Sequence, residues 1–181
     1  LRLRPGHVSA QALKAALKAA EGDLPEATTM AESLSRRHPA EPDAAVLLGT
    51  LYLLQNAHGR AVPVLARALE VHPQDLDLLN TLAMAYVRMG DQAKAEHTFR
   101  KIMAQEPTVF DHHVKLALFF DQQQRYDKAE GVLREALRLD QDNEQRHLAL
   151  ADYVVGRRSL DAAEAVLQEA HHLLPHAVNV Q

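Results

Sequence analysis

Residues 76–109 read LDLLNTLAMAYVRMGDQAKAEHTFRKIMAQEPTV, and this stretch sets the fold class. Leu82 and Tyr86 stand at i, i+4 spacing, one face of a helix, before a Gly90-Asp91 turn signal. Phe99 and Ile102 mark a second helix beyond it. Pro107 closes the stretch, because a residue without an N–H cannot carry that helix onward. The same frame recurs along the chain. Prolines stand at Pro5, Pro39, Pro73, Pro107 and Pro175, all in step with a 34-residue period that only Gln141 interrupts. Alanine holds its place five times, at Ala27, Ala61, Ala95, Ala129 and Ala163.

A third row runs Ala15, Gly49, Ala83, Ala117 and Ala151, and Leu48, Leu82, Leu116 and Leu150 precede its last four members. Three residues further come Tyr52, Tyr86, Phe120 and Val154. In the second helices Leu65, Phe99, Leu133 and Leu167 recur, each followed three later by Ala68, Ile102, Ala136 or Ala170. Antiparallel helices approach closely only where both present small side chains, so the alanine and glycine rows mark crossings. The larger rows fill the space between one hairpin and the next. Gly22-Asp23, Asn56 to Gly59 and Gly90-Asp91 read as turns, with Asp23 and Asp91 placed to cap the helix that follows. Pro25 falls in a first turn, where its missing donor is not needed. Pro63 is out of frame. Its ring presses on the Gly59 carbonyl of a normally started helix, which predicts a late or bent start there. Gln141 predicts a slightly longer helix than the proline-closed ones.

These rows resemble the tetratricopeptide repeat: a leucine, a small residue and an aromatic on one helix, then alanine, aromatic, alanine and a closing proline on the next. The resemblance implies an all-α, right-handed superhelical solenoid of antiparallel helix-turn-helix units spanning residues 8–41, 42–75, 76–109, 110–143 and 144–177. The first unit is degenerate, with Lys14 and Lys18 at its leucine and aromatic positions. The family's early tryptophan is replaced by Gln11, Ala45, Leu79, His113 and His147. In this frame residues 1–7 end a preceding unit and residues 178–181 begin another, so the sequence reads as a stretch of a longer, bacterial-type array.

Composition agrees with a helical core. Of 181 residues 47% are hydrophobic, aromatics are 4% and Trp is absent, so the apolar material is mostly small and unbranched. Twenty basic against 24 acidic residues leave no net charge to recruit nucleic acid or an anionic membrane. The longest apolar stretch, Ala44 to Leu54, is broken by Gly49 and Thr50 and falls short of a ~30 Å hydrocarbon layer, which excludes direct membrane insertion there. With no Cys there is neither a disulfide nor a thiolate metal site, a trait compatible with cytoplasm and periplasm alike.

No pattern of catalysis emerges. There is no GxSxG motif, no cysteine nucleophile and no glycine-rich phosphate loop, so catalytic residues, cofactor and metal are all read as none. Eleven histidines invite a metal reading, yet neighbours such as His112 and His113 diverge by about 100° around a helix. His172 and His176 are separated by Pro175, which ends any shared helix. His113 and His147 read as polar packing between helices. Asp75 with Asp77, and Asp140 with Asp142, lie beside unit boundaries and read as helix caps rather than an acid-base pair.

The resemblance places a binding groove on the first helices, at the second, fifth, ninth and twelfth positions of each unit. In the middle three units these are Asp43, Val46, Thr50 and Leu53, then Asp77, Asn80, Met84 and Val87, then Asp111, Val114, Leu118 and Asp121. The partner-binding set is accordingly Asp43, Val46, Thr50, Asp77, Asn80, Met84, Val87, Asp111, Val114, Leu118 and Asp121. An apolar floor edged by aspartates fits a protein or peptide partner, an amphipathic helix with aliphatic anchors and a basic edge. Tetratricopeptide grooves that grip acidic chaperone tails carry Lys, Arg and Asn, so this one repels such tails. RNA-binding pentatricopeptide relatives have a longer period and a more basic surface. The function expected is a non-catalytic interaction scaffold. Two alternatives stay open: the repeat arm of a larger enzyme or envelope polysaccharide assembly protein, and a self-associating homo-oligomer.

Overall fold

The structure, a computed structural model, describes residues 8–141 and 143–157, together with Glu164 and Gln168. Expectations for residues 1–7, for most of the last unit's second half, including Ala163, Leu167, Ala170 and Pro175, and for residues 178–181 lie outside these. Among the described residues there are nine helices and no strand. First helices are α1 (Val8–Ala20), α3 (Pro42–Leu54), α5 (Leu76–Met89), α7 (Phe110–Gln122) and α9 (Glu144–Arg157). Second helices are α2 (Leu24–Arg37), α4 (His58–Val71), α6 (Gln92–Gln105) and α8 (Tyr126–Leu139). Every first helix starts 34 residues after the one before it, and so does every second helix.

Contacts divide the chain into two compact units, residues 1–102 and 103–181, with the boundary inside α6. In the first, α3 packs on α1, α2, α4 and α5. Its crossings are as tight as the small-residue rows demand: Ala15, Ala27, Ala61 and Ala68 are fully buried. A Cβ added at Gly49 would sit 3.1 Å from both Leu65 methyl carbons, so glycine is the only residue that fits there without moving Leu65. In the second unit α8 packs on α7 and α9, around Leu116, Phe120, Ala129, Ala136 and Leu150.

The hairpin turns share one backbone requirement. Gly22, Asn56, Gly90 and Gln124 stand 34 residues apart, and each has a left-handed φ, between 57° and 92°. Glycine adopts that region freely, whereas Gln124 gives up about 1–2 kcal/mol to do so. Beyond the turn, Asp23 Oδ1 accepts the Glu26 N–H at 3.1 Å and Asp91 Oδ1 accepts that of Lys94 at 3.2 Å, the caps read from sequence.

A row the sequence reading passed over joins the two helices of each hairpin. Arg60 lies 4.3 Å from the Tyr52 ring centre, Lys94 lies 5.4 Å from that of Tyr86, and Lys128 lies 5.5 Å from that of Phe120. Cation and ring occupy equivalent positions in the three hairpins, eight residues apart. In the first hairpin both members change: Lys18 replaces the ring, Glu26 replaces the cation, and the two pair at 3.7 Å. A cation over a ring face at such distances contributes about 0.5–1 kcal/mol when exposed.

Two expectations need correction. α4 starts at His58, in phase with its counterparts, and runs unbroken through Pro63 to Val71, so its start is not late. The bond that Pro63 forgoes belongs to Gly59, an exposed residue whose carbonyl water can serve. α8, for its part, is no longer than α2, α4 or α6; all have 14 residues. Without a proline, its end is fixed by polar contacts. Asp140 caps the helix and its carboxylate accepts from Asn143 Nδ2 at 2.9 Å. Arg146, buried on α9, donates to the Ala136 carbonyl at 2.6 Å and to the Thr108 carbonyl at 2.8 Å. Ala136 is among the last four carbonyls of α8, which lack an intrahelical donor, so a guanidinium there satisfies an orphan and favours the negative helix end.

The row that replaces tryptophan is buried at Ala45, Leu79, His113 and His147. His113 Nδ1 lies 3.3 Å from the Val109 carbonyl, and His147 Nε2 donates to the Gln141 carbonyl at 2.8 Å. Burial holds the His113 pKa below its ordinary 6.5. As pH falls through that value the unfolded chain takes up this proton first, so the stability His113 contributes is whole above it and is lost on further acidification. The melting temperature should therefore fall between about pH 7 and 5 more steeply for the native chain than for His113→Leu, which mimics Leu79. Parallel curves for the two proteins would dismiss His113 as the source.

Candidate protein-binding faces

On the first compact unit, α1, α3 and the start of α5 enclose a cleft of about 410 Å3. Ser9, Ala12, Leu13 and Ala16 of α1, Pro42, Asp43, Val46, Leu47 and Thr50 of α3, and Asp75 and Asp77 line it. Four predicted residues meet here: Asp43, Val46, Thr50 and Asp77. The Ser9 hydroxyl donates to Asp43 Oδ2 at 2.5 Å, across a separation of one repeat. Asp75 Oδ1 accepts the Leu78 N–H at 2.9 Å and so caps α5, as a boundary carboxylate was expected to.

The other predicted residues of α5 lie outside that cleft. Met84 is 43% exposed, while Asn80 and Val87 are half-buried. Asn80 Nδ2 donates to the Leu76 carbonyl at 2.7 Å, which turns its donor back onto its own helix.

The second unit presents α7 and α9. Leu118 is 54% exposed, Leu148 39% and Val155 46%, and Val114 is half-buried beside them. Its two predicted aspartates, Asp111 and Asp121, are occupied. Lys115 Nζ lies 2.6 Å from Asp111, one helical turn away. Arg157 grips Asp121 in a two-pronged pair, Nε to Oδ1 and Nη2 to Oδ2, both at 2.7 Å. Those hydrogen bonds hold the Asp121 carboxyl below the usual range and raise Arg157. Desolvation, then the Asp121 charge, pushes the Tyr153 hydroxyl up to about 12. Among the described residues no group of three or more His, Asp or Glu is placed to hold a metal.

Matches to models of the tetratricopeptide repeat cover residues 13–75, 52–118 and 113–147. The chain belongs to the tetratricopeptide repeat family. Solved structures share the fold of this tetratricopeptide chain. MamA from Desulfovibrio magneticus is 16% identical, covers 94% of this chain and 97% of its own, and superposes with a TM-score of 0.65. A thermophilic tetratricopeptide protein of Thermus thermophilus is 22% identical, with 94% and 93% covered and a TM-score of 0.62. A tetratricopeptide repeat protein from Parabacteroides merdae is 21% identical, with 94% and 68% covered and a TM-score of 0.67. No curated protein matches. The fold is thus an all-α tetratricopeptide solenoid, whose general role is protein–protein interaction.

Against the tetratricopeptide frame, the sequence reading missed Leu13 and Leu47. Both hold the sixth position of a unit and line the cleft. Their signal was helical spacing: positions two, six and nine stand four and three residues apart, on one face.

Proposed function

We propose that this tetratricopeptide chain is a non-catalytic scaffold, built of the 34-residue units set out above, that grips a helix or extended segment of a protein partner on its first-helix faces. The observation that carries this reading is the α1–α3–α5 cleft, which is lined by aliphatic side chains and by the carboxylates of Asp43, Asp75 and Asp77. Its volume falls within the range of about 300–1,000 Å3 common to ligand clefts. Asp43, Val46, Thr50, Asp77, Asn80, Met84 and Val87 serve this face, and Asp111, Val114, Leu118 and Asp121 that of α7. Aliphatic side chains left this open to water favour an amphipathic partner that covers them.

The test uses two exposed positions. Met84→Ala and Leu118→Glu should each leave the circular dichroism spectrum and melting temperature near native, since neither side chain belongs to the core. Capture of the partner from the source organism's lysate should fall at least about tenfold, as expected when an interface anchor is truncated. Native-like capture by both variants would discard the reading.

A further inference from the structure

The aspartates that line the first-helix faces are unequally available. On α7, Asp111 has Lys115 and Asp121 has Arg157. In the first unit, among the described residues, Asp43 accepts from the Ser9 hydroxyl and the Asp77 carboxylate has no side-chain partner, while both line a cleft together with Leu13, Val46 and Leu47. Among the described residues Lys18 pairs with Glu21 and Glu26, Arg36 and Arg60 with Glu32, Lys94 with Asp91, and Arg100 with Glu96, and no cation forms an ion pair with Asp43 or Asp77. Two exposed carboxylates beside an apolar wall, with no counter-charge among the described residues, leave a negative rim open to a partner's cation.

We infer that the α1–α3–α5 cleft takes the cationic anchor of the partner, a lysine or arginine whose aliphatic stem lies on Leu13, Val46 and Leu47 while its head reaches Asp43 and Asp77. Long basic side chains bury their stems against apolar surface in this way and keep the charge at a polar rim. The α7 face does not read that charge, since its own cations already neutralise Asp111 and Asp121. The inference rests on the groove reading and adds to it the place where charge is recognised.

The probe is a pair of fluorescein-labelled amphipathic helices of about 18 residues, long enough to hold a helix, with leucines at i, i+3, i+4 spacing. One carries lysines along one edge and its twin carries glutamines. Anisotropy titrations of the full chain at low salt should show the lysine peptide bound about tenfold more tightly, with added salt erasing the preference. Asp43→Asn/Asp77→Asn should abolish that preference with the fold intact by circular dichroism. Glu70→Gln/Glu144→Gln, which removes two exposed acids outside the groove positions, should keep it. Equal binding of the twins by the native chain, or a preference that survives the first double variant or vanishes in the second, overturns the inference and leaves the groove reading standing. Failure of the native chain to bind either twin overturns the groove reading and the inference with it.

Discussion

Arg146→Met should lower the melting temperature of the chain by several degrees and release amide protection around residues 136–147 before the first hairpins open. The reasoning starts from burial. Arg146 is 5% exposed and spends two donors on carbonyls, Ala136 at the end of α8 and Thr108 in the loop ahead of α7. Asp140 lies 3.3 Å away, and the guanidinium centre sits 5.6 Å from the Phe110 ring. Methionine fills comparable space but donates nothing, and the buried Ala136 carbonyl left without a donor costs about 1–3 kcal/mol, while that of Thr108, an exposed residue, is open to water. In a chain of this size every kcal/mol is worth roughly 2–4 °C. Arg146→Lys should recover only part of the loss, since one ammonium is poorly shaped to serve two divergent carbonyls. Calorimetry showing Arg146→Met within a degree of native would mean that water takes over both carbonyls.

Two substitutions two residues apart in α8 should move stability in opposite directions. Ala129 is fully buried at the α7–α8 crossing, so Ala129→Leu forces the helices apart at a cost of about 1–3 kcal/mol. Ala95→Leu should act alike at the equivalent position of α6, where the alanine is also fully buried. A Cβ on Gly131, in contrast, meets nothing within 4 Å, and Gly131→Ala should gain about 0.5–1 kcal/mol through helix propensity. Thermal unfolding of the pair separates packing from propensity. If Ala129→Leu melts with the native chain, the close crossing is not there.

The helices were legible because the period is written redundantly: buried Ala27, Ala61, Ala95 and Ala129 repeat the message of Pro39, Pro73 and Pro107. The caps at Asp23 and Asp91 were legible because capping is local, an oxygen meeting an N–H three residues on. What escaped was made between segments. The end of α8 is set by Arg146, from the following helix, so the missing proline at Gln141 misled by looking only at its own position. The Arg157–Asp121 pair spans 36 residues, and no sequence spacing announces that this groove aspartate is already taken. The groove rows themselves came from the family resemblance, and helical geometry alone would have added Leu13 and Leu47.

The ring-and-cation pairs bear on how such arrays can be lengthened or recombined. Tyr52 with Arg60, Tyr86 with Lys94 and Phe120 with Lys128 each sit inside one hairpin, as does the reversed-charge pair Lys18 with Glu26. A whole hairpin duplicated or grafted elsewhere carries both halves of its latch with it. A crossover through the turn between α1 and α2 would instead set Lys18 against a borrowed arginine or lysine, so recombination at hairpin boundaries keeps every latch while recombination within the first hairpin is penalised.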